Sequence, residues 1–213
     1  NPDILQALRL TVEVAVIATV ISVILGTLGA IGIHACKKGY ASALLNLSYL
    51  PMTMPDIVTG VSLMLMFVAV NMPRGIVTMI MAHVTFDTPY VLFSVLPKLK
   101  QMDDSLVNAA MDLGCTRMQA FFKVTIHEIM PGVISGAIMA FTMSLDDFVI
   151  SYFVTGLDFV TLPVEIYSYT KKPIQPKIYA MFTLLFLLIF VLMVISNVIQ
   201  LMGDKKRLDA RNK

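Results

Sequence analysis

From Ile178 to Gly203 the chain runs 26 residues without a charged side chain. A helix needs roughly 20 apolar residues to cross about 30 Å of hydrocarbon. Four other segments reach that length, at about 10–33, 44–72, 75–97 and 131–155. Lipid offers no partner to backbone N–H and C=O groups, so runs of this kind cross as helices that close their own hydrogen bonds. The expectation is an all-α, polytopic transmembrane helical bundle, one domain over 1–213 with five spans. Composition agrees: 57% of the residues are apolar, 14% are charged and mean hydropathy is +0.81, which excludes a soluble domain of this size.

The cations set a direction. With the amino terminus outside, the inner segments hold Lys37, Lys38, Lys98, Lys100, Arg117, Lys123, Lys205, Lys206, Arg207, Arg211 and Lys213, eleven of the sixteen Lys and Arg. The positive-inside rule therefore places segment 98–130 and the carboxyl terminus in the cytoplasm. Basic residues sorted by side, with a net charge of only +2, exclude a nucleic-acid partner and leave lipid as the surrounding phase. Cys36 and Cys115 fall on the reducing side at no metal or redox spacing, and are expected to be inert. The chain opens Asn-Pro-Asp, with no cleavable signal sequence in view.

Chemistry enters the spans through carboxylates. Asp56, Asp87, Asp146 and Asp147 lie inside expected spans that contain no Lys or Arg. An ionisable group at the bilayer centre costs at least about 2.5 kcal/mol, so such residues face a bundle interior or water and mark a pathway. An acid-only pathway suits a cationic cargo. Counting from Pro131 at ~1.5 Å per residue puts Asp146 and Asp147 about 22 Å up the fourth helix, in the outer half of the membrane. Adjacent residues diverge by about 100°, so one lines a path while the other serves a helix interface. Ser144 and Tyr152 sit beside them; Tyr152, Phe153, Tyr167 and Tyr169 offer ring faces to an ammonium group, or form an interfacial belt. Pro51 and Pro55 interrupt the second span just before Asp56, so a broken helix lining a cavity is expected there. His83, mid-span, reads as an interhelical hydrogen-bonding residue. Gly26, Gly29 and Gly32 form a stripe for close helix approach.

The long polar stretch is 98–130, which reads as two short helices at a membrane surface. In the first, Leu106, Ala109, Ala110 and Leu113 fall at i, i+3, i+4 and i+7, Asp103 and Asp104 stand at its start, and Gly114 occupies the left-handed stop. Thr116 and Gln119 are spaced as a capping box for the second, which carries Met118, Phe121 and Phe122 on one face. Pro131 then opens the fourth span as its first helical residue.

Asn108-Ala109-Ala110, Gly114 four residues on, Val124-Thr125-Ile126 and Pro131 resemble the EAA loop of binding-protein-dependent ABC importer permeases. That family opens the motif with glutamate where this chain has Asn108. It places proline directly after the second helix, where this chain has His127. The run Ser144-Leu145-Asp146-Asp147-Phe148, with His83-Val84-Thr85-Phe86 and Asp112-Leu113-Gly114 upstream, is similar to the permeases of spermidine/putrescine ABC importers. The resemblance implies the type I importer permease core, with the family's first helix missing ahead of the first span seen here. It also implies a bacterial inner-membrane location and a polyamine cargo passing Asp56, Asp87, Ser144, Asp146, Asp147 and Tyr152. Two cytoplasmic ABC ATPases would couple at Asn108, Ala109, Ala110, Asp112 and Gly114. A second homologous permease and an external polyamine-binding protein would complete the complex.

No Gly-x-x-x-x-Gly-Lys-Ser/Thr cradle occurs, so no ATPase site, no catalytic residue and no cofactor is expected in this chain. His127-Glu128 opens like a zinc-protease motif but lacks the second histidine, so no metal is expected. The alternative is an ion-gradient-driven secondary carrier of a cationic solute. Such a carrier predicts an internal repeat, and none is evident.

Overall fold

A computed structural model of the protein describes residues 2–156 and 159–170, with isolated positions 183, 186, 187 and 190 beyond them. The expected fifth span, 178–203, lies outside the described residues. Asn1–Ile166 form one compact unit and Tyr167–Lys213 a second. All regular structure among the described residues is helical: α1 (Pro2–Ala35), α2 (Lys38–Thr53), α3 (Asp56–Ala69), α4 (Ile76–Gln101), α5 (Asp104–Asp112), α6 (Arg117–Ala120), a π turn (Phe121–Thr125), α7 (Ile126–Asp146), α8 (Val149–Val154) and α9 (Leu162–Thr170). Three helical stretches are long and apolar enough to cross a membrane, Ile4–Ala35, Ile76–Gln101 and Arg117–Asp146. The pair α2–α3, bent by 103°, makes a fourth crossing if counted as one.

The centre of the bundle is α4, gripped from two sides by glycines. A Cβ on Gly26 of α1 would stand 2.7 Å from the Val91 Cβ and 2.8 Å from the Thr88 carbonyl oxygen. From the other side, a Cβ on Gly136 of α7 would stand 2.9 Å from the Val91 Cα, and one on Gly132 would stand 2.7 Å from the Ser94 carbonyl oxygen. Lipid tails are as apolar as leucine, so helices associate through close packing, and absent side chains permit it. On α7 the buried residues Ile129, Gly132, Gly136, Ala140 and Ser144 recur every three or four positions, the stripe that a single packed face requires.

The pairings give directions. Val14 of α1 packs with Met79 and Ala82 of α4, whereas Ala30 and Ile33 pack with Leu92 to Leu99, so α1 and α4 run parallel. Gly132 meets Ser94 while Ser144 meets His83, so α7 runs antiparallel to both. The opposite face of α1 leaves Val16, Val20, Ile24 and Leu28 exposed at four-residue intervals. Apolar residues turned outward are what a lipid-facing helix presents.

Three expectations are corrected. The helix expected to open at Pro131 and run to 155 instead begins at Arg117, passes through the π turn and Pro131 without a break, and stops at Asp146. Pro131 is tolerated inside because the bond it forfeits is to the carbonyl of His127, on an exposed face. The second helix of the surface pair is therefore the foot of a span and not a separate element. In the second crossing only Pro55 stands at the break; Pro51 lies within α2. Of the glycine stripe on α1, Gly26 makes the tight approach, Gly29 would place a Cβ 3.3 Å from Leu92, and Gly32 has nothing within 4 Å.

Candidate functional site

Both helix breaks open onto one cavity. At the first, Thr53 donates its hydroxyl back to the Tyr49 and Leu50 carbonyls, ending α2, and Pro55 leads into α3 with Asp56 in its first turn. An acidic side chain there meets the positive end of the helix. At the second, α7 stops at Asp146 and α8 starts at Val149. Asp147 bridges the gap: its Oδ1 accepts from the Ile150 N–H at 3.2 Å and its Oδ2 from the Ser151 N–H at 2.7 Å. That is the satisfaction of orphan donors a helix start demands. It explains a break that has neither proline nor glycine.

The cavity measures about 290 Å³ and is lined from α2 and α3 by Pro51, Met52, Asp56 and Thr59, and from α4 by Phe86 and Tyr90. From the second break come Met143, Asp146, Asp147, Phe148, Val149 and Ile150. Among the described residues, three carboxylates and three aromatic rings face the space, and no Lys, Arg or His lines it. Asp87, between Phe86 and Tyr90 in the chain, is about 17 Å along α4 from Ile76 and about 21 Å from Gln101 at ~1.5 Å per residue. The cavity thus lies level with the middle of α4. A larger cavity, about 480 Å³, lies at the amino-terminal end of α1 and has its own cation, Arg9, beside Glu13 and Glu165. Glu13, which falls within the first expected span, is paired with Arg9 at 2.7 Å one turn away.

The other sequence-predicted residues take different places. Asp87 is fully buried behind the cavity, and neither of its oxygens has a hydrogen-bond partner among the described residues. Ser144 does not line the cavity; its Oγ lies 2.5 Å from His83 Nδ1. His83 Nε2 lies 3.0 Å from the Ser151 Oγ and 3.6 Å from Asp147 Oδ2. His83 is therefore the interhelical residue the sequence implied, and it ties α4 to both sides of the second break. Tyr152 is turned outward, 45% exposed, against Phe148 and Phe153. Sequence reasoning missed Phe86, Tyr90 and Phe148 as lining rings. The i, i+4 pairs His83–Asp87 and Phe86–Tyr90 on α4 carried the signal.

At the far end of α4, the helical pair is formed as its caps require. Asp103 accepts from the Ser105 N–H at 2.8 Å, which holds its carboxyl below the usual carboxylate range. Gly114 has φ +89°, the left-handed conformation glycine adopts without penalty. Thr116 and Gln119 exchange both bonds of a capping box. Leu106, Met111, Leu113, Met118 and Phe122 are all exposed here, Leu113 at 87%. Asn108, Ala109 and Asp112 are exposed with them, and Ala110 is half-buried.

Membrane-length helices packed through glycine, an acid-lined cavity at two helix breaks and an apolar hairpin at one end define a membrane permease. Residues 22–208 match the family model described as the binding-protein-dependent transport system inner membrane component, and the chain belongs to that family. It is 40% identical over 192 residues, 85% of this chain and 67% of the relative, to the putrescine transport system permease protein PotI of Escherichia coli (strain K12). It is 34% identical over 199 residues, 93% of this chain and 77% of the relative, to the spermidine/putrescine transport system permease protein PotC of Haemophilus influenzae (strain ATCC 51907 / DSM 11121 / KW20 / Rd). A crystal structure of an amino acid ABC transporter with histidines shares the fold, with TM-score 0.62 and 18% identity, over 91% of this chain and 92% of that one. The chain is thus an inner-membrane transport permease. The family places it beside an ATPase and a binding protein.

Proposed function

We propose that the chain forms the translocation path for a polyamine in an ATP-driven importer, and that the cavity between the two helix breaks is where the cation passes. The observation that carries this reading is the lining itself: Asp56, Asp146 and Asp147 converge on one space from two interrupted helices, with no basic residue among the described lining residues. A flexible chain with two or more ammonium groups matches several carboxylates, and Phe86, Tyr90 and Phe148 supply ring faces for the charged ends and apolar cover for the methylenes. The relatives named for putrescine and spermidine support the same cargo. Asp87, Ser144 and Tyr152 stand around this path without lining the cavity.

ATP is hydrolysed by two separate cytoplasmic subunits, which grip the exposed apolar hairpin around Asn108, Ala109, Ala110, Asp112 and Gly114. Rigid-body movement of that hairpin, joined through Arg117–Asp146 directly to the second break, shifts the cavity between outward and inward openings. A second homologous permease completes the path, and an external binding protein delivers the cargo. In this arrangement the amino-terminal ends of α1 and α4 face outside and the carboxyl terminus faces the cytoplasm. The test is uptake by the complete importer in proteoliposomes, comparing putrescine and spermidine with a neutral amino alcohol and with glutamate. The reading predicts ATP-dependent uptake of the cations alone. Cation uptake that needs no ATP and collapses with an ionophore would instead favour the ion-gradient carrier.

A further inference from the structure

Asp87 is the one carboxylate of the four that the cavity does not use. It is 0% exposed, and both oxygens lack a donor among the described residues. The described groups around it do not supply one. On its own helix, His83 has both ring nitrogens occupied by Ser144 and Ser151, and Tyr90 faces the cavity. From the second break, Asp147 spends its two oxygens on the start of α8 and lies 3.6 Å from His83, one helical turn from Asp87, with Asp146 its neighbour in the chain. From α3, Asp56 lines the cavity. On the other side of α4, α1 brings hydroxyls but no titratable group between Glu13 and His34. An ionised carboxylate without donors, next to a second carboxylate, is an arrangement a dry interior does not sustain; a neutral carboxyl with its proton is.

We propose that Asp87 is a proton-binding position linked to occupancy of the cavity. With the cavity empty, its carboxyl carries a proton. When an ammonium group settles against Asp147 and Asp146, their negative field is cancelled and a positive charge stands close by, so Asp87 ionises and its proton leaves to solvent. Each cation that binds displaces up to about one proton, and because the loaded state holds fewer protons, affinity for the cation rises with pH. Asp87 is a positioning group in this scheme, since it acts on cargo through the field at Asp147 and not by contact. The inference rests on the cavity being the cation site.

Calorimetry of putrescine binding to the complete importer, in buffers of different ionisation enthalpy, counts the protons exchanged. At near-neutral pH, where putrescine keeps both charges, the wild type is expected to release a proton fraction that Asp87→Asn abolishes. Infrared difference spectra of the wild type should lose a protonated-carboxyl C=O band on binding, a readout that needs no variant. Binding heat with no proton release, or release that persists in Asp87→Asn, overturns the proposal while leaving the cation site standing. Loss of all binding heat in Asp87→Asn also overturns it, by making Asp87 a direct contact. Absence of binding heat in the wild type overturns both readings.

Discussion

The tight side of Gly132 shows how far one hydrogen atom matters in this bundle. A methyl there would press on the Ser94 backbone oxygen, which cannot rotate away, so Gly132→Ala should cost about 1–3 kcal/mol. Gly32→Ala, with nothing within 4 Å, should be neutral or stabilising by up to about 1 kcal/mol through helix propensity. Thermal unfolding of the detergent-solubilised importer compares the two. His83→Ala strips the partner from two buried serines at once and should cost about 2–4 kcal/mol, loosening α8 from α4. Hydrogen exchange at Ile150 to Val154 reads that loosening; unchanged protection would mean that Asp147 alone holds the second break. The role of His83 was legible because a lone mid-span imidazole has few other options. The role of Asp147 as a cap was not: in an apolar run, Asp-Asp reads as two charges on a continuous helix, and only the backbone reveals which of them ends it.

Among the elements, the surface hairpin was the most legible, since each of its signals is local: an acidic cap, a left-handed glycine and a capping box all act within four residues. What sequence could not give was its continuity with the next span. Nothing in Val124 to Pro131 compels a stop, and the proline loses only a bond on an exposed face. Continuity has a mechanical consequence, because a push on Arg117 travels along 30 residues of helix to Asp146. Gly114→Val meets no neighbour but must hold φ near +89°, at a cost of about 1–2 kcal/mol. The expected outcome is an importer whose ATPase turns over without cargo dependence; retained cargo-stimulated hydrolysis would argue against α5 as the coupling element. The cap at Asp103 has its own pH signature. Because its folded-state carboxyl is held below the usual range, its contribution is present above the unfolded value and lost as pH falls through the folded one. Amide exchange in α5 should accelerate in acid, and Asp103→Ala should show that faster exchange at neutral pH.

At the scale of the whole molecule, apolar length and the sorting of cations implied a bundle and a sidedness, while the cavity emerged only from assembly. Asp56 and Asp146 are ninety residues apart, and their meeting depends on α2–α3 folding back by 103° beside the end of α7. Neither break is visible from the other, so the sequence offered four carboxylates and the fold divided them into three at the cavity and one behind it. The central claim is that this acid space carries a cation. Its most direct test is ATP-driven putrescine uptake by the reconstituted importer with Asp146→Asn, which removes charge at nearly constant volume and spares the cap made by Asp147. Uptake should fall by about tenfold or more, the factor that ~1.4 kcal/mol sets, while the complex still assembles and hydrolyses ATP. Uptake equal to wild type in Asp146→Asn, and again in Asp56→Asn combined with it, would contradict the account.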